Sequence, residues 1–235
     1  MICREYIGTE LELFKHAIDW KKYYAQHLTQ FISGQVLEVG AGIGGTTHAL
    51  WNAHCSRWLC LEPDERLIPM LRTNLNGSLP NDSIEVQSCY VTDLPEDVSF
   101  DSILYIDVLE HIRDDQTEVC EAFQRLRQGG HLVVLCPAHQ WLFSEFDKSI
   151  GHHRRYSKNM FQTLTPEGAL VTRCRYLDSV GMLASLANRL LLRQSLPTEN
   201  QIRFWNRYLI PLSRLLDPLL LYTLGKSVFI VWKKA

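Results

Sequence analysis

The sequence of 235 residues contains no pair of cysteines in the C-x-x-C spacing. Its seven cysteines are scattered along the chain, and several lie in apolar segments, where a thiol acts as a small hydrophobic side chain. This distribution argues against a disulfide framework and against a zinc site built on cysteine pairs. It favours a reducing environment, so we expect a cytoplasmic protein.

The sequence also lacks a large excess of charge of either sign. Lys and Arg total 24 against 26 Asp and Glu, which gives a formal net charge of -2. A chain with this balance has no general attraction to the phosphates of nucleic acids. We therefore expect no nucleic-acid partner.

A long uninterrupted hydrophobic run is absent as well. The most apolar region, Leu209 to Leu224, is broken by two prolines, an arginine and an aspartate, and is shorter than the ~20 residues of a membrane-spanning helix. The first residues carry glutamates where a secretory signal needs an apolar segment. We expect neither a transmembrane helix nor an export signal.

What the sequence does contain is an alternation of short apolar segments with amphipathic ones. At 46% hydrophobic and 21% charged residues, the composition fits a single globular domain. Near-continuous apolar strands separated by helices predict a doubly wound α/β fold with a mostly parallel sheet. The candidate strands are residues 35–40, 56–63, 83–89, 100–107 and 129–137, followed by a late pair, 170–179 and 226–234.

The stretch "VLEVGAGIGGTTHAL" places Gly40, Gly42 and Gly45 in the spacing G-x-G-x-x-G, between a strand and a helix. Glu62 ends the next strand. This context is typical of a site for an adenosine-bearing cofactor, in which the acidic residue binds the ribose hydroxyls. Both NAD and S-adenosylmethionine fit the pattern.

Glu38, two residues before the first glycine, distinguishes these two cofactors. A carboxylate beside the loop would repel the pyrophosphate of NAD. It would favour the ammonium and sulfonium groups of S-adenosylmethionine. An NAD-dependent oxidoreductase stays open as the alternative, as does a Glu38 that points outward into solvent.

Four segments resemble, in order, motifs of the class I S-adenosylmethionine-dependent methyltransferases: "LEVGAGIGG", "LCLEPDERL", "FDSILYIDVLEHIRDD" and "LRQGGHLVVLCP". The resemblance implies a Rossmann-like fold with seven strands, the last of them antiparallel. It divides the single domain into a helical cap (1–34), a cofactor-binding core (35–137), acceptor-side insertions (138–224) and the last strand (225–235).

The resemblance also implies roles for individual residues. The backbone at Gly40, Gly42 and Gly44 would approach the cofactor, Glu62, next to Pro63, would bind the ribose, and Asp107 would line the methionine side. Members of the family often have an acidic residue for the adenine amino group at a position where this sequence has a tyrosine. Adenine would then meet Cys89, Tyr90 and Val91, with Asp93 as a further polar partner.

Methyl transfer requires an acceptor atom held close to the methyl carbon and, for a hydroxyl acceptor, a base. Glu110 and His111 follow the fourth strand, and a neutral imidazole suits a base near neutral pH. The alternative is that His111 only packs against the following helix and that Glu110 is structural. We treat His111 as a catalytic candidate and Glu110 as an acceptor-binding one.

The segment "WLFSEFDKSIGHHRRYSKNMF" follows the fifth strand and adds a second group of candidates. Its "GHHRRY" string resembles a subgroup of bacterial methyltransferases linked to glycan, lipid or secondary-metabolite assembly. Asp147 could orient His152 as a catalytic pair, and the guanidiniums could bind an anionic acceptor. The acceptor-binding candidates are Arg154, Arg155 and Tyr156, and the alternative is that they tie the loop to the sheet.

We expect no metal site, because the adjacent His152 and His153 point in different directions and no third ligand lies at a standard spacing. The stripe of apolar residues over 202–223 fits packing on the enzyme's own body, a homodimer surface or a peripheral membrane contact. The sequence therefore predicts a monomeric or homodimeric methyltransferase acting on a small-molecule or glycan- or lipid-linked acceptor, most readily at oxygen, with nitrogen and carbon open. A non-catalytic adenosine-binding or membrane-peripheral protein is a further alternative.

Overall fold

The structure, a computed structural model, describes residues 10–77, 79–187 and 197–235. Its central element is a single sheet of seven strands. The strands are β1 (Gly34–Val39), β2 (Cys55–Leu61), β3 (Ile84–Gln87), β4 (Phe100–Ile106), β5 (Leu126–Pro137), β6 (Ala169–Leu177) and β7 (Ser227–Lys234). Their order in the sheet is β3-β2-β1-β4-β5-β7-β6.

The first five strands pair in parallel, and β7 pairs antiparallel with both β5 and β6. This confirms the predicted seven-stranded α/β sheet with an antiparallel last strand. Both late strand candidates belong to it, and β7 inserts between β5 and β6 to form the predicted hairpin-like finish.

Helices cover the sheet on both faces. They are α1 (Glu10–Phe14), α2 (Ile18–Leu28), α3 (Gly45–Leu50), α4 (Ile68–Leu75), α5 (Asp115–Gln124), α6 (Glu145–Ser149), α7 (Lys158–Thr163), α8 (Ser179–Ala187), α9 (Glu199–Phe204) and α10 (Ile210–Leu219), with a π-helical turn, Trp205–Leu209, joining the last two. The first nine residues of the predicted N-terminal cap lie outside the described residues.

Alternation along each strand divides the core into two layers. In β1, Leu37 and Val39 pack in the layer that includes α5 and α7, whereas Val36 packs in the layer that includes α2, α3 and α4. Because both faces are covered, the strands are apolar on both sides. This double burial explains the near-continuous apolar runs in the sequence.

The order of the strands fixes where a ligand can bind. The chain moves outward from β1 to β2 and β3 and then returns to β4, which lies on the other side of β1. The crossovers after β1 and β4 therefore diverge, and a crevice opens at the carboxyl ends of these two strands. The glycine loop and the residues after β4 lie at this edge.

Two buried aspartates fasten the C-terminal helices to the rest of the domain. Asp217 of α10 accepts hydrogen bonds from the Tyr23 hydroxyl and the Asp178 backbone N–H, both at 2.7 Å. Asp178 accepts from the indole N–H of Trp205, also at 2.7 Å. The buried face of α10 is thus partly polar, and its apolar stripe faces outward: Leu212, Leu216 and Leu219 are exposed.

Within this segment Ile202, Trp205 and Ile210 are buried, whereas the leucines of α10 are exposed. The exposed leucines favour the homodimer and membrane alternatives for that part of the stripe. Asp217 cannot leave the interior without breaking its hydrogen bonds, so it fixes the rotation of the helix. Within the part of the chain that the structure describes, no helix is both long enough and apolar enough to cross a membrane.

Candidate functional site

The glycine loop runs from the end of β1 to the start of α3 and makes one wall of the crevice. Gly40 has φ +68°, and a Cβ added there would lie 2.6 Å from Cγ2 of Val108, which follows β4. Gly44 caps α3 with φ 85°. Both positions require glycine, because an L side chain would be strained in the backbone and, at Gly40, would collide with the neighbouring loop.

Glu62 lies immediately after β2 and holds the loop in place. Its Oε2 accepts the Gly42 backbone N–H at 2.8 Å, and its Oε1 accepts the Asp64 N–H at 2.9 Å. Burial raises the pKa of Glu62, although both backbone donors oppose this. Each carboxylate oxygen has a second lone pair, so a further donor can still bind. Pro63 is half-buried beside it.

Glu38 is buried, with only 2% of its surface exposed, so it is not a solvated strand residue. Its Oε2 accepts the Thr47 hydroxyl at 2.7 Å and the Trp58 indole N–H at 2.8 Å. Its Oε1 has no hydrogen-bond partner within the described part of the chain. Burial raises the pKa of Glu38 to about 7, against the lowering effect of these hydrogen bonds.

The segment after β3 contains the residues expected near adenine. Tyr90 is half-buried, and its backbone N–H donates to Asp93 Oδ2 at 2.8 Å. Asp93 therefore holds the turn closed, which weakens its role as an adenine partner. Val91 is 1% exposed and its side chain packs in the core.

Asp107 follows β4 directly and opens into the crevice. Its φ of 54° is unusual for a residue other than glycine, and strain of this kind is concentrated at functional sites. Although its side chain is exposed on the open side, desolvation by the surrounding protein raises the pKa of Asp107, and the charges of Lys226 and Lys21 oppose this rise. These two lysines were not recognised from the sequence.

Lys21 extends from α2 and its ammonium lies against Gly45 at the glycine loop. Desolvation lowers the pKa of Lys21, and the carboxylates of Asp107 and Glu38 oppose the change. Lys226 precedes β7, and its ammonium lies 4.6 Å from the centre of the Trp205 ring. Lys21 lies in an amphipathic helix and Lys226 directly before β7, and neither sequence context predicts that the lysine belongs to the site.

Glu110, His111 and His152 come together beside Asp107. Glu110 and His111 belong to a 3-10 turn after β4, and His152 comes from the loop after α6. The His111 and His152 rings are perpendicular, with centroids 4.6 Å apart. Desolvation, aided by the neighbouring His152 and His153, lowers the pKa of His111 to about 3, so its imidazole is neutral.

Asp147 orients His152, as the sequence predicts for this pair. Its Oδ1 lies 3.0 Å from His152 Nδ1 and also accepts Arg155 Nε at 2.8 Å. Its Oδ2 accepts Arg155 Nη2 at 2.9 Å and the Ser144 backbone N–H at 2.8 Å. Burial alone would raise the pKa of Asp147, but the hydrogen bond from His152 and the charge of Arg155 outweigh it and lower the pKa well below its usual range.

The remaining acceptor-binding candidates are engaged within the protein. Arg155 is buried on Asp147, and Tyr156 is fully buried, with its hydroxyl donating to Asp115 at 2.7 Å. Arg154 pairs with Asp115 and donates to the Arg113 carbonyl at 2.7 Å. These contacts favour the alternative in which the three side chains tie the loop to the body of the domain.

Comparisons with known proteins agree on the class of domain. Residues 37–134 match the family described as "Methyltransferase domain". The O-methyltransferase cnsE of Penicillium expansum is 28% identical over 100 residues, which are 42% of this chain and 36% of cnsE. The chain therefore aligns with about a third of the length of that curated relative.

Solved structures share the fold over nearly the whole chain. Coclaurine N-methyltransferase, bound to N-methylheliamine and S-adenosylhomocysteine, has a TM-score of 0.62 at 15% identity and covers 93% of this chain and 72% of its own. N-methyltransferase NodS from Bradyrhizobium japonicum WM9, also with S-adenosylhomocysteine, has a TM-score of 0.56 at 15% identity, covering 92% and 86%. The [4+2]-cyclase SpnF has a TM-score of 0.61 at 13% identity, covering 92% and 80%. One fold thus serves more than one reaction.

Proposed function

We propose that this chain, whose residues 37–134 match a methyltransferase-domain family, binds S-adenosylmethionine in the crevice between β1 and β4 and transfers its methyl group to an acceptor hydroxyl. The observation that carries the proposal is the fit of the crevice to this ligand. A strained glycine loop, pinned to Glu62 by a 2.8 Å hydrogen bond, lies beside a buried Glu38 oxygen without a partner. S-adenosylmethionine supplies an electrophilic methyl group on a sulfonium.

The residues around the crevice suit the separate parts of this ligand. The free lone pairs of Glu62 suit the ribose hydroxyls, with Pro63 beside them, and Tyr90 and Val91 bound the side where adenine would lie. Glu38 and Asp107 suit the ammonium, and Lys21 suits the carboxylate of the methionine part. The same charges oppose NAD, because Glu38 and Asp107 would face its pyrophosphate.

The cluster after β4 is the part of the site suited to the acceptor. Asp147 fixes His152, and His152 and the neutral His111 flank Glu110, so a hydroxyl proton has basic groups to receive it. As the new C–O bond forms, the S–C bond breaks with its electron pair on sulfur, and the hydroxyl proton passes to this cluster. The O-methyltransferase relative, aligned over 100 residues, supports oxygen as the acceptor atom.

The acceptor is a small molecule or a carrier-linked glycan, lipid or secondary metabolite in this proposal, and the protein acts in the cytoplasm. With Arg154, Arg155 and Tyr156 engaged in the loop, a phosphate or carboxylate on the acceptor would meet Lys226, whose charge acts on Asp107. We infer that the shape of the loop, more than these three side chains, selects the acceptor.

The test is transfer of a labelled methyl group from S-adenosylmethionine to a panel of hydroxylated acceptors. His152→Ala should lower turnover by about 10²-fold or more, the usual scale for a lost proton-transfer group, with little change in cofactor affinity. His153→Ala is the matched control, because His153 is the exposed neighbour. Equal turnover of the wild type and His152→Ala on a true acceptor would remove His152 from the chemistry.

A further inference from the structure

Glu110 is a buried carboxylate without a compensating partner. Its side chain is fully buried, and among the residues that the structure describes neither Oε1 nor Oε2 has a hydrogen-bond partner. The polar group beside it is the Cys136 thiol, which is a weak donor. Arg155, in the neighbouring loop, donates two hydrogen bonds to Asp147, and its remaining nitrogen, Nη1, has no partner among the described residues. A buried carboxyl group without a partner either keeps its proton or meets a cation, so this position can accept a cation in place of the proton.

The groups around Glu110 have the geometry of ligands. One donor atom each from Glu110, His111 and His152 lie within 4.8 Å of one another. His152 Nε2 is 3.8 Å from Glu110 Oε1, which is too long for a direct hydrogen bond. Two ligands that each lie ~2.1 Å from one ion in tetrahedral geometry are ~3.4 Å apart, so small side-chain rotations would bring this set to bonding distance.

The second nitrogen of His152 is already oriented for such a role. Asp147 is an acceptor held by Arg155 and Ser144, so His152 Nδ1, 3.0 Å away, carries the proton of their hydrogen bond. In the neutral ring, Nε2 then presents its lone pair toward Glu110. A carboxylate that fixes the outer nitrogen of a histidine is the usual support of a metal-ligating imidazole.

We propose that Glu110, His111 and His152 bind a divalent transition-metal ion. Two imidazoles and one carboxylate suit ions such as Zn²⁺, Mn²⁺, Fe²⁺ or Co²⁺, whereas Ca²⁺ and Mg²⁺ prefer oxygen ligands alone. Three protein ligands leave at least one position open. The spacing of His152 and His153 does not reveal this set, because Glu110 and His111 are distant from them in sequence.

The metal site deepens the proposed function and rests on it for its role in the reaction. An acceptor hydroxyl bound at the open position would lose its proton to solvent, because a divalent ion stabilises the oxygen anion. That oxygen would then take the methyl group. In the metal-bound form, His111 and His152 position the ion and do not receive the proton, and turnover depends on the metal.

The experiment titrates chelator-treated, full-length protein with Co²⁺ and Zn²⁺, and measures S-adenosylhomocysteine binding separately. We expect one equivalent of metal per chain, a visible Co²⁺ spectrum without strong thiolate charge-transfer bands, and a metal-dependent rise in melting temperature. Glu110→Gln and His152→Ala should each lose at least about tenfold in metal affinity, and Asp147→Asn about 10- to 100-fold. His153→Ala should bind metal like the wild type.

The variants are first shown to be folded by circular dichroism, and Glu110→Gln serves as the conservative test because it keeps the side-chain shape. Binding of S-adenosylhomocysteine without saturable metal binding would overturn the metal site and leave the proposed function standing. Metal binding without S-adenosylhomocysteine binding would overturn the proposed function alone. Metal affinity that is unchanged in both Glu110→Gln and His152→Ala would place the ion elsewhere and overturn the assignment.

Discussion

At the scale of single residues, Glu38 is unfavourable for folding, because its carboxyl group is buried and only partly hydrogen-bonded. It is a buried carboxylate, which destabilises the folded state, and its Oε1 faces no partner. Buried ionisable residues of this kind are concentrated at functional sites, where a ligand can supply the missing hydrogen-bond donor or positive charge. The cost to folding is therefore a measurable sign of the proposed role.

We predict that Glu38→Gln changes how stability depends on pH. Burial raises the pKa of Glu38 from 4.5 to about 7, so the folded state binds more protons than the unfolded state between these pH values. The contribution of Glu38 to the free energy of unfolding is constant below the unfolded pKa of 4.5. It falls as the pH rises from there through 7, by on the order of 3 kcal/mol in total. The melting temperature of Glu38→Gln, relative to that of the wild type, should therefore rise as the pH increases from 5 to 8.

The measurement is thermal unfolding of the cofactor-free protein at several pH values. Glu96→Gln is the control, since Glu96 is exposed and its substitution should give a constant difference from the wild type. A Glu38→Gln difference that is equally constant would show that Glu38 is ionised at no cost.

Glu62 has a dual role in this account, because it holds Gly42 and offers lone pairs to a ribose. We predict that Glu62→Ala weakens S-adenosylhomocysteine binding by about 1.5–3 kcal/mol, or roughly 10- to 150-fold, through the loss of charge-assisted hydrogen bonds. Calorimetric titration measures this, with exposed Glu65→Ala as the control. Near-wild-type affinity in a folded Glu62→Ala protein would exclude Glu62 from the site.

At the scale of elements, α10 has an arrangement that periodicity alone does not reveal. Its buried face contains Ser213 and Asp217, whereas Leu215 and Leu219 are 70% and 78% exposed. Exposed apolar surface of this kind marks a contact with another protein or with a membrane. Arg207 and Arg214 lie on the same helical segment and are exposed, so an anionic lipid surface fits the pattern.

We predict that the protein binds vesicles containing anionic lipid and that Leu215→Glu with Leu219→Glu abolishes this binding without changing cofactor affinity. Co-sedimentation with vesicles of phosphatidylglycerol and phosphatidylcholine measures it, and Leu170→Glu, on exposed β6, is the control. If the wild type does not sediment with vesicles but forms a dimer that the double variant disrupts, the surface is a homodimer contact and the membrane prediction is wrong.

At the scale of the whole molecule, much of the fold follows from the sequence because the sheet is buried on both faces. The apolar strands and the glycine loop could both be predicted, since each depends on local sequence. The strand pair β6 and β7 was also visible as two late apolar segments. The predicted start of β5 differs from the observed one: β5 begins at Leu126 and not at residue 129, because Leu126 pairs with Phe100 of β4 before the register shifts.

The acceptor side was less predictable, because its contacts join residues that are distant in sequence. Nothing in "GHHRRY" reveals that Arg155 binds Asp147 or that His152 meets Glu110. Periodicity groups the leucines of α10 on one face but does not tell whether that face is buried. The rotation of the helix depends instead on the partners of Asp217, which lie on α2 and after β6.

The central claim is that the crevice between β1 and β4 holds S-adenosylmethionine. The most direct test is calorimetric titration of the purified protein with S-adenosylmethionine, S-adenosylhomocysteine and NAD in parallel. We predict saturable binding of the first two, with one site per chain, and no binding of NAD. Binding of NAD alone would contradict the roles given to Glu38 and Asp107 and, with them, the methyltransferase activity.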